Sequence, residues 1–212
     1  HNDDSLTVLR DLPGVVVGVP ARPDDAAAML RTMVAAAQVD GTVSVLVEPI
    51  ARYHTADLLE SGDRLWLATP DPTAHVPIGA AHTYGDASSE KADLTILTFG
   101  NGLFMSLRVQ RRLEAEGIRI RVVDLRWISP LPLDDLLREA RATGTVLVVD
   151  ETRRSGGVGE GVLAALVDGG FTGRMARVTS KDSFIPLGDA AKLVLLSEAE
   201  IEAAVHTLLA RD

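Results

Sequence analysis

The sequence predicts an α/β protein made of parallel-sheet, three-layer units arranged in two portions. Three observations carry this. Short β-branched runs alternate with Ala- and Leu-rich stretches of helical length. The alternation occurs on both sides of a segment rich in proline and glycine. The strands of the second portion are apolar almost without interruption, as strands covered by helices on both faces must be.

Residues 15–19, VVVGV, read as a buried strand that stops at Pro20. Pro23 is tolerated in a first helical turn, Asp24 and Asp25 suit the positive helix start, and an Ala-rich helix follows. Asp40-Gly41 is a turn, and TVSVLVEP is a second strand closed by Pro49. Strand, helix, strand is the crossover unit of a parallel sheet. In residues 50–92, Pro70, Pro72 and Pro77 with Gly62, Gly79 and Gly85 interrupt any long element. That stretch is expected to be an extended connector with room for a short strand or two. His54, His75 and His82 fall in it as surface or connector residues.

From residue 94 the pattern resumes. LTILTF is a strand, Gly100-Asn101-Gly102 a tight turn, and LFMSLRVQRRLEAEG an amphipathic helix with Leu103, Leu107 and Leu113 near one face and Gly117 as its stop. IRIRVVDL is a strand, LPLDDLLREAR a helix whose Asp134 and Asp135 suit the helix start, and GTVLVVDE a fully buried strand. GEGVLAALVDGG is a short helix and ARVTS a strand. In the last helix, Ser197 and Glu200 have capping-box spacing, while Leu196, Ile201 and Leu208 supply apolar contacts.

The whole composition narrows the function. In 212 residues the net charge is −9, which excludes a nucleic-acid role driven by phosphate neutralisation; the Arg153–Arg154 pair is too short to reverse it. The absence of cysteine excludes disulfides, thiolate metal sites and cysteine nucleophiles. The five histidines have no compact ligand spacing, so no metal ligand is assigned. The apolar runs are far shorter than the roughly 20 residues of a membrane span, and a soluble, cytoplasmic location is expected.

Two loops invite a ligand. Gly100-Asn101-Gly102 joins a strand to a helix, where backbone N–H groups can hold an anion, but Met105 breaks the G-x-G-x-x-G frame. SGGVGEG at 155–161 lacks the Lys-Ser/Thr pair of a P-loop. Its glycines answer to positive φ, close backbone approach and a helix start at Gly159 or Glu160. Glu151 stands at the carboxyl end of a buried parallel strand, where α/β sheets place ligands; bonding loop amides is its alternative. No G-x-S-x-G elbow is present for serine chemistry.

A collinear set of segments then identifies a family. DLPGVVVGVPARPDDAAAML, VEP at 47–49, VPIGAA at 76–81, LTFGNG at 97–102, VVDLRWISPLPLDDL at 122–136 and DETRRSGGVGE at 150–160 occur in order. Together they resemble the beta subunit, or beta half, of the thiamine-diphosphate-dependent 2-oxo acid dehydrogenases, the decarboxylating first component. The resemblance covers essentially the whole chain. It implies that residues 1–65 are the C-terminal half of a transketolase-like pyrimidine-binding domain, which is therefore incomplete. Residues 66–91 are then a linker, and 92–212 a doubly wound transketolase C-terminal domain. The family's catalytic histidine lies in a His-Ser-Gln stretch thirteen residues before the Gly of Pro-Gly. His1 keeps that register to Pro13-Gly14, although HNDDS departs from Ser-Gln. By resemblance, His1 is the catalytic candidate, acting as donor or acid/base toward the 2-oxo acid. Asp40 aligns with the family's monovalent-cation loop, but Thr42 and Val43 depart from it, and no metal is assigned.

The resemblance further implies thiamine diphosphate and magnesium in the full enzyme and acyl transfer to a lipoyl group. No cofactor is expected on this chain alone, because the Gly-Asp-Gly…Asn motif and the cofactor-activating glutamate are not in the sequence. The implied partners are an alpha subunit or alpha half, a second beta copy in a dimer, and a dihydrolipoamide acyltransferase core whose basic docking domain suits the negative charge. The chain is expected to serve assembly and docking and to be inactive alone. Two alternatives stay open: a transketolase or deoxyxylulose-phosphate-synthase-like enzyme fragment, and a non-catalytic docking domain.

Overall fold

In the computed structural model, which describes residues 5–85 and 92–210, the side chains of the central strands are buried on both faces and set the layers. The elements are α1 (Leu6–Arg10), β1 (Val15–Gly18), α2 (Pro23–Asp40), β2 (Val43–Leu46), β3 (His82–Tyr84), β4 (Leu94–Thr98) and α3 (Asn101–Glu114). They continue with β5 (Ile120–Asp124), β6 (Trp127–Ser129), α4 (Leu133–Thr143), β7 (Thr145–Arg153), α5 (Val158–Asp168), β8 (Arg174–Ser180) and α6 (Glu198–Leu209). Short 3-10 turns lie at Ile50–Arg52 and Gly188–Leu193.

The larger sheet has the order β3-β5-β4-β7-β8, parallel except for β3. On β4, Leu94 and Ile96 face α3 and α6, while Leu97 faces α4 and α5. On β7, Leu147 and Val149 take the first side and Val146 and Val148 the second. This is the doubly wound, three-layer arrangement that uninterrupted apolar strands require. Leu103, Leu107 and Leu113 of α3 are buried in the first layer, as their spacing predicted. The capping box of α6 forms: Glu200 N donates to Ser197 Oγ at 3.3 Å, and Ser197 N donates to Glu200 Oε2 at 2.9 Å.

The smaller sheet has the order β2-β1-β6. Its β1–β2 pair is parallel around α2, the crossover read from the sequence. Met29 and Met33 of α2 pack with Trp127 of β6 over it. Strand β6 was not legible in advance, because three residues are too few to show a period. It pairs antiparallel with β1, through Val17–Ser129 and Gly18–Trp127. The second portion of the chain therefore completes the sheet of the first.

Residues 50–85 are more tightly folded than an extended connector. The Asp63 carboxylate accepts backbone N–H groups from Leu58, Leu59, Glu60 and Leu65 at 2.6–3.0 Å, which holds its pKa well below the usual carboxylate range. Trp66 is 1 % exposed and meets Phe104 edge to face, ring centroids 5.0 Å apart. Local carboxylate-to-amide bonding of this kind has no periodicity, so hydropathy patterning does not signal it. Among the described residues no helix is long and apolar enough to cross a membrane.

The two sheets are joined at Asp124–Trp127. Asp124 ends β5, Leu125 N donates to Thr98 O at 2.8 Å, and Arg126 adopts φ +58° before β6 begins. The Arg126 guanidinium grips Asp25 of α2 in two bonds, Nη2–Oδ1 at 2.5 Å and Nε–Oδ2 at 3.1 Å. Both side chains are nearly buried, at 13 % and 8 % exposure. Asp25 is thus more than a helix-start charge: its carboxylate is committed to an arginine 101 positions away. Asp135, read the same way, accepts Ala81 N at 2.8 Å. In both cases the carboxylate at the helix start also has a long-range partner.

Removing one member of a buried pair strands the other charge. Asp25→Ala or Arg126→Ala is expected to lower unfolding free energy by about 3–5 kcal/mol, and the double replacement Asp25→Leu with Arg126→Met by clearly less. Urea titration of the three variants checks the order.

Candidate functional site

The carboxyl ends of β1, β2, β4 and β7 converge on a cavity of about 340 Å³ between the two sheets. Leu6, Leu9, Val19, Val47 and Phe99 give it apolar walls, and Glu48, Asn101 and Glu151 supply its polar groups. Open α/β sheets place ligands at such a crevice. Gly100 takes φ +53° and ψ −127°, a conformation that only glycine adopts easily, and so starts α3 at Asn101 immediately after the strand. Asn101 Nδ2 donates to Glu151 Oε1 at 2.7 Å. Two motifs singled out separately in the sequence thereby meet across 50 residues. Asn101 Oδ1 is buried without a hydrogen-bond partner.

The residue that fastens the glycine loop is Asp150, not Glu151. Asp150 Oδ1 accepts Thr152 N at 2.8 Å and Thr152 Oγ1 at 2.6 Å, and Oδ2 accepts Gly159 N at 2.5 Å. Burial pushes its pKa up, opposed by those bonds. A methyl added at Gly157 would lie 2.1 Å from Arg153 O, so the loop's close approach is real, and α5 starts at Val158. The loop is a structural turn fixed by a buried carboxylate.

Asp124, at the end of β5, is fully buried. Its Oδ1 accepts Arg126 N at 3.1 Å, whereas Oδ2 has no partner. Burial pushes its pKa up to about 7, and Asp25 adds to the rise. The carboxyl group at the seam between the sheets therefore releases its proton at a higher pH than an ordinary aspartate. Nothing in the sequence marked it beyond its place at a strand end.

The predicted site residues are distributed as follows. His1 lies outside the described residues; Ser5, four positions on, lines the cavity. His54 and His75 are exposed, and His82 is exposed on β3, its ring 4.5 Å from that of Tyr84. Asp40 Oδ1 accepts Thr42 N at 3.0 Å in a local turn. Glu116, Glu202 and His206 bring possible metal-ligand atoms within 4.8 Å of one another. Glu202 and His206 stand i,i+4 on α6, a spacing that is visible in the sequence but joins a carboxylate to an imidazole rather than two histidines. Arg112 Nε, however, already donates to Glu202 Oε2 at 3.1 Å, putting a positive charge beside any cation there.

Residues 83–203 match the family model for the transketolase C-terminal domain. The chain belongs to that family. Among curated relatives it is 32 % identical to 1-deoxy-D-xylulose-5-phosphate synthase of Syntrophotalea carbinolica, over all of this chain and 31 % of that protein. It is 27 % identical to the pyruvate dehydrogenase E1 component subunit beta of Bacillus subtilis, over 95 % of this chain and 58 % of that one. A solved split-gene transketolase, described as an inactive beta4 tetramer, superposes with a TM-score of 0.73 at 27 % identity, over 96 % of this chain and 60 % of that chain. Campylobacter jejuni transketolase, at 15 % identity and a TM-score of 0.60 over 98 % of this chain and 28 % of that chain, shares the fold. The chain spans less than two thirds of the length of these relatives.

Asp124 sets a pH dependence whose sign follows from its raised pKa. The folded protein keeps a proton that the unfolded chain releases near pH 4, so stability present at low pH is lost as pH rises from about 4 to about 7. Asp124→Asn retains an acceptor for Arg126 N and removes the titration. It is expected to flatten that fall by a few kcal/mol, read from urea midpoints at pH 5 and pH 8.

Proposed function

We propose that this chain is the beta-type portion of a thiamine-diphosphate-dependent enzyme of the 2-oxo acid dehydrogenase kind. Its part is to shape one wall of the active crevice and to assemble with an alpha-type partner. The observation that carries this reading is the crevice: strand ends of both sheets open onto one cavity, in a chain collinear over 95 % of its length with a pyruvate dehydrogenase beta subunit.

The cavity's donor set does not fit a magnesium diphosphate. Glu48 and Glu151 line it, no lysine or arginine is among its described lining residues, and Asn101 Nδ2 is committed to Glu151. A diphosphate placed there would face two carboxylates of its own sign. The diphosphate-binding groups are therefore assigned to the partner, and no step is routed through the cofactor on this chain. What this chain offers is orientation and exclusion of water: an apolar wall, a rigid Asn101–Glu151 pair, and a leading segment that carries His1. By its register with Pro13-Gly14, His1 serves as proton donor and acceptor to the substrate in the assembled enzyme.

A second reading is a synthase making 1-deoxy-D-xylulose 5-phosphate, favoured by 32 % identity to such a protein across the whole chain. Mixing the protein with an alpha-type subunit bearing the Gly-Asp-Gly…Asn motif separates the two. Carbon dioxide release from pyruvate or branched 2-oxo acids, with acyl transfer to a lipoyl acceptor, supports the dehydrogenase. Condensation to a deoxyxylulose phosphate supports the synthase and overturns the dehydrogenase reading, and the absence of both activities overturns both. His1→Gln is expected to lower kcat about 100-fold or more in the assembled enzyme, the usual scale for loss of an acid/base group. Calorimetric titration of this chain alone with magnesium and thiamine diphosphate is expected to give no tight binding.

A further inference from the structure

Gly157 and Gly159 pack against Asp150, whereas Gly161 packs against a side chain from near the start of the chain. A methyl added at Gly161 would lie 2.3 Å from Nη2 of Arg10 and 3.0 Å from its Cζ. Gly161 is inside α5 and has no positive φ that would call for glycine. What glycine permits there is the close approach of a guanidinium. Arg10 is the last residue of α1, and its Nε donates to Ile128 O of β6 at 3.0 Å.

A cation beside the first turns of a helix is ordinarily disfavoured by the helix dipole. Burial opposes it too and lowers the Arg10 pKa, while the Asp150 carboxylate attracts the charge. Asp150 is the same group that fastens the glycine loop. Arg10 therefore joins α1 to β6, to α5 and to the carboxylate on β7 through one side chain. Little else holds α1: it has no fully buried residue, and Leu6 and Leu9 are only partly buried against the core. Those two side chains, with Ser5, line the crevice between the sheets.

We propose that Arg10, seated on Gly161, is a positioning residue that holds α1 in place as the substrate-facing wall of the crevice. The proposal rests on the reading that this crevice is the active one. It also accounts for the last glycine of SGGVGEG, which neither a positive φ nor contact with Asp150 requires.

Gly161→Ala is the sharper test, because a methyl there displaces the flexible end of Arg10 while favouring the helix it sits in. Arg10→Gln removes the charge instead, and it decides alone if Gly161→Ala loses its circular dichroism spectrum. In the intact protein, hydrogen exchange is followed at the amides of Val8, Asp11 and Leu12, which are bonded within α1 and the turn after it. Exchange there is expected to quicken about tenfold or more in both variants, with exchange in β4 and β7 unchanged. In the assembled enzyme, KM for the 2-oxo acid is expected to rise about tenfold, while KM for thiamine diphosphate stays within about twofold. Loss of folded protein would instead lower kcat and leave both KM values alone. Exchange unchanged in both variants, or a KM for the 2-oxo acid within about twofold of the original in both, overturns the proposal. An assembled enzyme that turns over nothing even with Arg10 and Gly161 in place counts against the functional reading, and the exchange rates then decide the anchoring role by themselves.

Discussion

The grip of Arg126 on Asp25 is the constraint on which the rest of the molecule depends. A strand that ends in one sheet must turn and enter another within three residues, Asp124 to Trp127. Arg126 makes the turn at a positive φ and at the same point ties the first helix-bearing layer to the second. Desolvating a guanidinium and a carboxylate is expensive, and the pair offsets it by two-point contact at short range. The backbone joins in: Val19 N donates to Arg126 O at 2.7 Å, so β1 is anchored just beyond its last residue. Relative sheet position then follows from one residue's conformation and one bidentate bond.

That position creates the crevices. β1 and β2 send their carboxyl ends toward those of β4 and β7, so the Gly100 turn, Glu48 and Glu151 face one volume. Beside it the start of α2 and the turn after β2 enclose a second cavity, lined in part by Arg22 and Arg52. Both openings exist because the sheets are held apart at their strand ends and sealed elsewhere by Trp127, Ile128 and the methionines of α2. A shift of the seam would alter both together.

Much of this was visible in the residues. The doubly wound half could be read because its strands are continuous apolar runs and its helices carry amphipathic faces and, in α6, a complete cap. Glu151 and the Gly100 turn each drew notice alone, but their contact depends on strand order, which local patterning does not encode. Asp25 looked like a dipole partner because its arginine lies 101 positions away. The turn around Asp63 is not legible in the sequence because it is built from side chain to backbone bonds with no repeat. Asp124 and Arg52 are distinguished by a buried side-chain atom without a partner, a property of the tertiary packing that residue type does not signal. His1 was assigned by register to a motif, and it lies outside the described residues.

The antiparallel partner of β1 also has a bearing on how the chain reaches this state. Val17 pairs with Ser129, so the middle strand of the smaller sheet keeps that edge open until the chain has been made through residue 129. Contacts so distant in sequence form late, because a long loop must close before they are rewarded. Until then β1 shows an unpaired, β-branched edge to its surroundings, the kind of surface that draws neighbouring chains together. Strand β1 is thus fully paired only once a segment more than a hundred positions later has folded against it.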